Sequence, residues 1–320
     1  MPSEPVPSLE PDSKVHVAGH RGMVGSAVWR RLEAAGYRNL VGRASGELDL
    51  RDREATREFF AVERPDVVID AAAKVGGIAA NAASPADFLS DNLRIQVNLI
   101  DSAAEFGVER LLFLGSSCIY PKFADQPIRE ESLLTGPLEP TNDAYAIAKI
   151  AGVMQVQAMR RQKGLSYISA MPTNLYGPGD NFDLETSHVL PAMIRRFHDA
   201  AVAGLPSVTL WGSGSPRREF LHVDDLAAAC LVLLERYDDP APINVGVGED
   251  LTIRELAGLV ARIVGFEGAI EWDSSRPDGT PRKLLDTSRI EALGWAPRIG
   301  LEEGIEETWR WYLENAEAAD

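Results

Sequence analysis

Between Leu111 and Lys149 the chain gathers the side chains best able to do chemistry. Ser116, Ser117 and Cys118 end the apolar run LLFLGSSCIYP, which reads as a buried parallel strand, and Tyr145 and Lys149 follow in AYAIAK. Tyr145 and Lys149 lie four residues apart and so share one face of the helix predicted there. A free phenol titrates near ~10, too high to exchange protons readily at neutral pH. A lysine cation nearby is expected to favour the phenolate and lower that value, while a serine hydroxyl hydrogen-bonds the reacting oxygen. Such a set polarises a carbonyl while a hydride arrives. A Tyr-x-x-x-Lys spacing alone is weak, because lysine at i+4 is common on solvated helix faces. The serine-ended strand before it and a glycine loop near the N-terminus favour catalysis over decoration.

The elements that must position these groups read as an α/β alternation. Lys14 to Ala18 alternates into a first strand, and GHRGMVG follows with glycines at 19, 22 and 25. A helix then runs to Gly36, a suitable C-cap. Strand, glycine turn and helix together can hold a pyrophosphate, since the helix N-terminus offers unpaired N–H groups and a positive dipole end. The second strand, near Asn39 to Gly42, ends in Arg43 rather than an acid. An acid would grip ribose hydroxyls; an arginine suits the 2′-phosphate of NADP, and Arg21 in the glycine loop is a second candidate. Asp66 to Asp70 is the third strand, and AAAKVGGIAAN leaves its C-terminal end. A helix from about Pro85 to Phe106, the LLFLGSS strand, the Tyr145 helix to about Gln162 and a strand over Leu165 to Met171 follow. The alternation predicts a Rossmann-type doubly wound parallel sheet with a smaller C-terminal α/β lobe for substrate. Residues 1–13, proline-rich and polar, read as a disordered leader, 14–178 as the NADP-binding domain and 179–320 as mainly the substrate lobe, with about 207–245 returning to the first domain. Both long helices are amphipathic and suit a homodimer contact.

Composition narrows the partners. The chain has 320 residues, 45% hydrophobic, and a formal net charge of -16, which argues against nucleic acid or an anionic membrane surface. An anionic small ligand remains compatible, because a local arginine cluster outvotes a diffuse acidic surface. No apolar run is long enough to cross a bilayer, and the N-terminus lacks the basic start and apolar centre of a signal peptide. The two cysteines, Cys118 and Cys230, make no metal spacing and no disulfide framework, so a reducing cytoplasm is expected and no metal. Cys230, among Ala, Leu and Val in mid-helix, reads as a packing residue.

With these stretches in view the chain resembles the extended short-chain dehydrogenase/reductase family, and within it the epimerase-reductases acting on GDP-4-keto-6-deoxymannose. GHRGMVG, AAAKVGGI, FLGSSCIYP, EPTNDAYAIAKIAG, MPTNLYGP, DNFD with SHVLPA, WGSGSPRREFLHVDD and PDGTPRKLLD carry the likeness, in that order. It implies reduction of carbon 4 by NADPH after inversion of carbons 3 and 5. By motif, Ser116, Tyr145 and Lys149 match the reductase triad, and Cys118 and His188 the pair that moves protons during epimerisation. The cofactor contacts implied are Gly19, His20, Arg21, Gly22, Met23, Val24 and Gly25, then Leu114, Gly115, Ser116 and Ser117, then Lys149, Pro172, Thr173, Asn174 and Leu175. His188 is implied to touch the nicotinamide as well. Arg196, Trp211, Arg218, Asp278 and Lys283 fall on the nucleotide-sugar stretches.

Chemistry gives its own reasons. A proton alpha to a ketone becomes removable when the enolate oxygen is stabilised, and Ser116 and Tyr145 suit that task. Inversion needs one group to take a proton and another to return one on the opposite face, which a thiolate and an imidazolium can do. The bland alternatives are a small filler at a strand end for Cys118, a cap or surface group for His188, and simple packing for Trp211. The family pattern RTR after the second strand is RAS here, so Ser45 replaces a second arginine and weakens the NADP case. Rival readings are a 4-epimerase, a 4,6-dehydratase, which would show Thr-Asp-Glu in place of Ser116, Ser117 and Cys118, or a non-catalytic NADPH-binding regulator, which usually has a broken triad.

Overall fold

The computed structural model describes residues 9–276 and 278–315. In chain order the first strands and helices are Val15–Ala18 (β1), Met23–Ala34 (α1), Leu40–Val41 (β2), Arg53–Glu63 (α2), Val67–Asp70 (β3), Ile78–Ala83 (α3), Pro85–Glu105 (α4), Arg110–Leu114 (β4), Asp143–Lys163 (α5) and Ser166–Pro172 (β5). Strands β1, β3 and β4 are buried at every residue, which suits parallel strands covered by helices on both faces. The helix α2 was not expected from the sequence. Its signal was Asp52, whose carboxylate caps the Glu54 and Ala55 N–H groups ahead of an amphipathic stretch.

The later elements are Asn174–Tyr176 (β6), Val189–Val202 (α6), Ser207–Trp211 (β7), Arg217–Arg218 (β8), Phe220–His222 (β9), Val223–Arg236 (α7), Ile243–Val245 (β10), Leu251–Thr252 (β11), Ile253–Val264 (α8), Ala269–Asp273 (β12), Arg282–Lys283 (β13), Ser288–Ala292 (α9) and Leu301–Asn315 (α10). Six parallel strands form the main sheet in the order β10-β5-β4-β3-β1-β2. This is the expected α/β doubly wound architecture. Helices α1 and α7 cover one face through Val28, Leu32, Leu226 and Leu233, and α4 and α5 the other through Leu99, Ile100, Val153 and Val156. The winding direction changes between β1 and β3, whose ends Ala18 and Asp70 lie side by side. Ligands of such sheets bind at that crevice.

The second lobe has its own core, built from α6, α8, α10 and the short sheets β11-β8-β13 and β12-β7. Here the structure departs from the expected boundary. Ser207–Trp211 pairs with β12 and stays in the smaller lobe, because it buries one residue, Leu210, and could not fill a strand position covered on both sides. The return to the main sheet runs instead through β9, α7 and β10. At the start of the chain, residues 9–13 make a turn closed by the Ser13 N–H on the Glu10 carbonyl, and Leu9 packs on the core. The rest of the expected leader, residues 1–8, lies outside the described residues. No helix among the described residues is long and apolar enough to cross a membrane.

Candidate active site

The glycine loop sits at the crevice between β1 and β3. Gly19 has φ +76 and a Cβ there would come within 2.8 Å of the Ala71 carbonyl oxygen; a Cβ on Gly25 would come within 2.1 Å of the Gly19 oxygen. Glycine at both positions therefore keeps the turn tight and its backbone open. No side chain caps α1 at Gly22 and no acid lies in its first turn, so its leading N–H groups and dipole face an anion unopposed. These are the features a pyrophosphate needs, and the residues fit a dinucleotide. Beyond β2, Arg43 is not free: its Nη2 donates to the Glu63 carboxylate at 2.7 Å and its guanidinium lies 5.7 Å from the Phe59 ring. Arg21 is exposed at the mouth of the loop.

Helix α5 brings Tyr145 and Lys149 to the C-terminal end of β4. Lys149 is buried, and its Nζ donates to the Leu114 carbonyl at 2.8 Å and lies 4.8 Å from the Phe113 ring. Burial pulls the ammonium below its usual value, and Asp70 at the end of β3 opposes that pull. Asp70 is itself pushed up to about 6 by burial, against the Lys149 charge and the Ala72 N–H. The lysine was expected to lower the phenol, and it does not. Burial raises Tyr145 well above its usual value, the Cys118 charge adds to this, and a Ser116 hydrogen bond offsets only part. Lys149 has turned towards the Leu114 carbonyl and Asp70 instead.

Ser116, two residues past the end of β4, is extended and caps a single 3-10 turn, Ser117–Ile119, by accepting the Cys118 N–H at 3.2 Å. That turn aims the Cys118 thiol back into the cleft. Its Sγ accepts from Asn142 Nδ2 at 3.3 Å and from Lys283 Nζ at 3.5 Å. Burial pushes the thiol up, yet Lys283, the Ser116 hydroxyl and Arg218 together pull it below its ordinary value. His188 is the residue before α6. The residue is exposed, and partial desolvation of its ring together with the Lys283 charge lowers its titration. The chain leading to it is pinned where the Gly77 N–H donates to the Thr186 carbonyl at 2.9 Å. Lys283 is thus the common neighbour of Cys118 and His188.

The remaining expected residues divide. Arg218, half-buried on β8, feels Cys118, Glu139 and Asp278. Asp278 does structural work: its carboxylate accepts from the Ser213 N–H and hydroxyl, each at 2.8 Å, and shapes the WGSG turn. Trp211 is 50% exposed beside that turn, with the Arg276 guanidinium 4.8 Å from its ring. Arg196 lies half-buried two turns into α6. Thr173 donates its N–H to the Val245 carbonyl and Asn174 its side-chain amide to the Glu219 carbonyl, so the Pro172 to Leu175 stretch bridges the lobes. Three residues not singled out from the sequence matter here: Asp70, Asn142 and Glu219. Glu219 is fully buried, and its carboxylate accepts the Val247, Gly248 and Leu285 N–H groups, which clamps the loop carrying Lys283. A separate cavity of about 410 Å³ between α1 and α7 holds none of these groups and is bridged at its mouth by Arg30 and Asp224. Among the described residues no group of three His, Cys, Asp or Glu side chains is placed to hold a metal ion.

A parallel sheet with a glycine crevice, and a serine, phenol and lysine at its carboxyl edge, define a nucleotide-dependent enzyme of the short-chain dehydrogenase type. The model of the NAD dependent epimerase/dehydratase family matches residues 15–246, and the chain belongs to that family. More particularly, it is 59% identical to GDP-L-fucose synthase 1 of Arabidopsis thaliana over 95% of this chain and 94% of the relative. It is 54% identical to GDP-L-fucose synthase of Escherichia coli (strain K12), over 94% of this chain and 97% of that one. The solved GDP-L-fucose synthetase from Naegleria fowleri bound to NADP superposes with a TM-score of 0.90 at 31% identity, covering 99% of each chain.

Proposed function

We propose that the chain inverts carbons 3 and 5 of GDP-4-keto-6-deoxy-D-mannose and reduces carbon 4 with NADPH, giving GDP-L-fucose. The observation that carries this reading is the pair of acids around Ser116. The Cys118 sulfur accepts from Asn142 Nδ2 at 3.3 Å and Lys283 Nζ at 3.5 Å, a setting that favours a thiolate base, while burial favours the protonated Tyr145 phenol as the acid. The Cys118 thiolate takes the proton alpha to the ketone; the C–H pair passes into the enolate, whose oxygen is held by the Ser116 and Tyr145 hydroxyls. His188 returns a proton on the opposite face, and its lowered value makes the imidazolium a stronger acid. NADPH, held by the glycine loop, Leu114 to Ser117, Lys149 and Pro172 to Leu175, supplies the hydride when bound. Tyr145 gives its proton to the carbon 4 oxygen. Arg196, Arg218 and Trp211 are assigned to the diphosphate and guanine.

The protein is further proposed to work in the cytoplasm as a homodimer. Val97 on α4 and Ile147 and Met154 on α5 are 38%, 47% and 40% exposed, and α4 and α5 pack together, so these apolar side chains suit a helical contact with a second copy. Sedimentation of wild type against Ile147→Glu reads that contact. The function itself is tested by supplying NADPH and GDP-4-keto-6-deoxymannose in deuterated water. Falling nicotinamide absorbance with a product inverted and deuterated at carbons 3 and 5 is expected. Reduction without inversion would leave a simple ketoreductase and sink the epimerase half.

A further inference from the structure

Asn142 stands at the N-cap of α5, a place where asparagine ordinarily turns its side chain onto the helix's first N–H groups. Here it makes no capping bond. The side chain is turned the other way, and Nδ2 donates to Cys118 Sγ at 3.3 Å. The Oδ1 atom is buried and has no hydrogen-bond partner. A forgone cap and a buried unpaired oxygen both cost stability, so the arrangement calls for a compensating partner at the site. Turning the amide over would set an oxygen against the sulfur and bury the NH2 unpaired, which suits a thiolate least.

We propose that Asn142 positions the Cys118 thiolate through its amide N–H and offers its amide oxygen to a ring hydroxyl of the sugar. One side chain then orients both the base and the carbon that the base deprotonates. The inference rests on the epimerase-reductase reading and extends it to a residue outside the triad and the proton-transfer pair. The asparagine is unchanged by the reaction. As the C–H bond breaks and S–H forms, the sulfur loses its charge and the N–H···S bond weakens, so the interaction favours the ionised resting base. The other charged or titratable groups facing the sulfur are Lys283, Arg218 and the Tyr145 phenol, with the Ser116 hydroxyl completing the shell. With the Ser116 hydroxyl, Asn142 is a neutral donor of the set, and it comes from the start of α5.

The test uses Asn142→Asp and Asn142→Ala in the full chain. Aspartate is nearly the same shape and caps a helix at least as well, so a purely structural role predicts no loss of thermal stability in Asn142→Asp, and no change at Cys118 in Asn142→Ala, which brings no charge of its own to the sulfur. The proposal predicts the reverse at the sulfur. Iodoacetamide alkylation of Cys118 against pH, without substrate and with Cys118→Ser as the blank, should move its midpoint up by about one pH unit in Asn142→Ala and further in Asn142→Asp. With substrate and NADPH, deuterium entry at carbons 3 and 5 should fall about tenfold or more at neutral pH in both, while carbon 4 reduction persists. Asn142→Ala alone should also raise the sugar nucleotide KM about tenfold, because it removes the acceptor. An unmoved midpoint with wild-type exchange in Asn142→Ala overturns the positioning role. An unchanged KM in Asn142→Ala overturns the contact with the sugar. Absence of wild-type turnover would sink the proposed function and still leave the alkylation midpoints to judge the thiolate.

Discussion

Cys118 and Tyr145 are two weak acids in one cleft, each coming near Ser116, and the protein drives them in opposite directions. Burial raises both. The thiol ends lower because Lys283 and Arg218 reach it from the smaller lobe and two neutral donors complete its shell. The phenol ends higher because the cation expected to serve it, Lys149, is turned to the Leu114 carbonyl and Asp70. The lesson is that burial sets only the starting point, and the placement of cations decides which group is the base. The two are also coupled in a useful sense: an ionised Cys118 raises Tyr145. While the thiolate is present the phenol keeps its proton, which is the state needed to protonate the reduced oxygen later.

The widest break in this comparison comes from removing either acid. Cys118→Ser should cut deuterium entry at carbons 3 and 5 by about 10²–10⁴ and leave slow reduction to the unepimerised 6-deoxy sugar. Tyr145→Phe should slow NADPH oxidation by about 10²–10⁴ and, since one of the two donors to the enolate oxygen is lost, slow exchange at those carbons to a lesser degree while inversion still occurs. NMR of the product beside nicotinamide absorbance reads both. Inverted product at wild-type rate from Cys118→Ser would reduce the thiol to a packing residue.

A change at the cations sharpens the comparison. Lys283→Met removes the largest charge holding the thiol down, so its titration should move up. Exchange depends on thiolate, which is lost as pH falls; the acid limb of the exchange profile therefore moves to higher pH. At neutral pH the rate should drop about ten- to a hundredfold and recover on raising the pH. A profile that stays in place would show that the lysine acts on the substrate alone.

The smallest effects lie at the cofactor's far end. Arg43 was expected to be a free hand for a 2′-phosphate, but it must first leave Glu63. Arg43→Ala should raise the KM for NADPH over that for NADH by about three- to tenfold, and Glu63→Gln should lower it about threefold. Equal changes with both cofactors would remove Arg43 from phosphate recognition.

Much of the frame was legible because its signals are local. Buried strands, the Gly19 to Gly25 loop and the Tyr145 to Lys149 spacing can each be read from a few adjacent residues. The loop carrying Lys283 cannot. Its approach to Cys118 spans 165 positions and depends on β13 joining β8, two residues paired with two. The partners of Arg43 and Lys149 were hidden for the same reason, since Glu63 and Asp70 come from other elements. Asn142 was not singled out, because nothing in its local sequence sets it apart from an ordinary residue before a helix. Only the fold shows its side chain turned to the Cys118 sulfur.

Glu219 gives this arrangement a thermal consequence. Its buried carboxylate gathers three backbone N–H groups from two separate loops, one of them at Leu285, and the residue beside it is Arg218. Both cations that pull the thiol down therefore hang from one clamp between short strands, whereas Tyr145 and Lys149 ride on a 21-residue helix packed against the main sheet. On warming, a clamp between two-residue strands should open before a long helix packed on the main sheet does. An overheated sample should accordingly turn out sugar of the wrong handedness while it still oxidises its coenzyme, so that fidelity melts at a lower temperature than turnover.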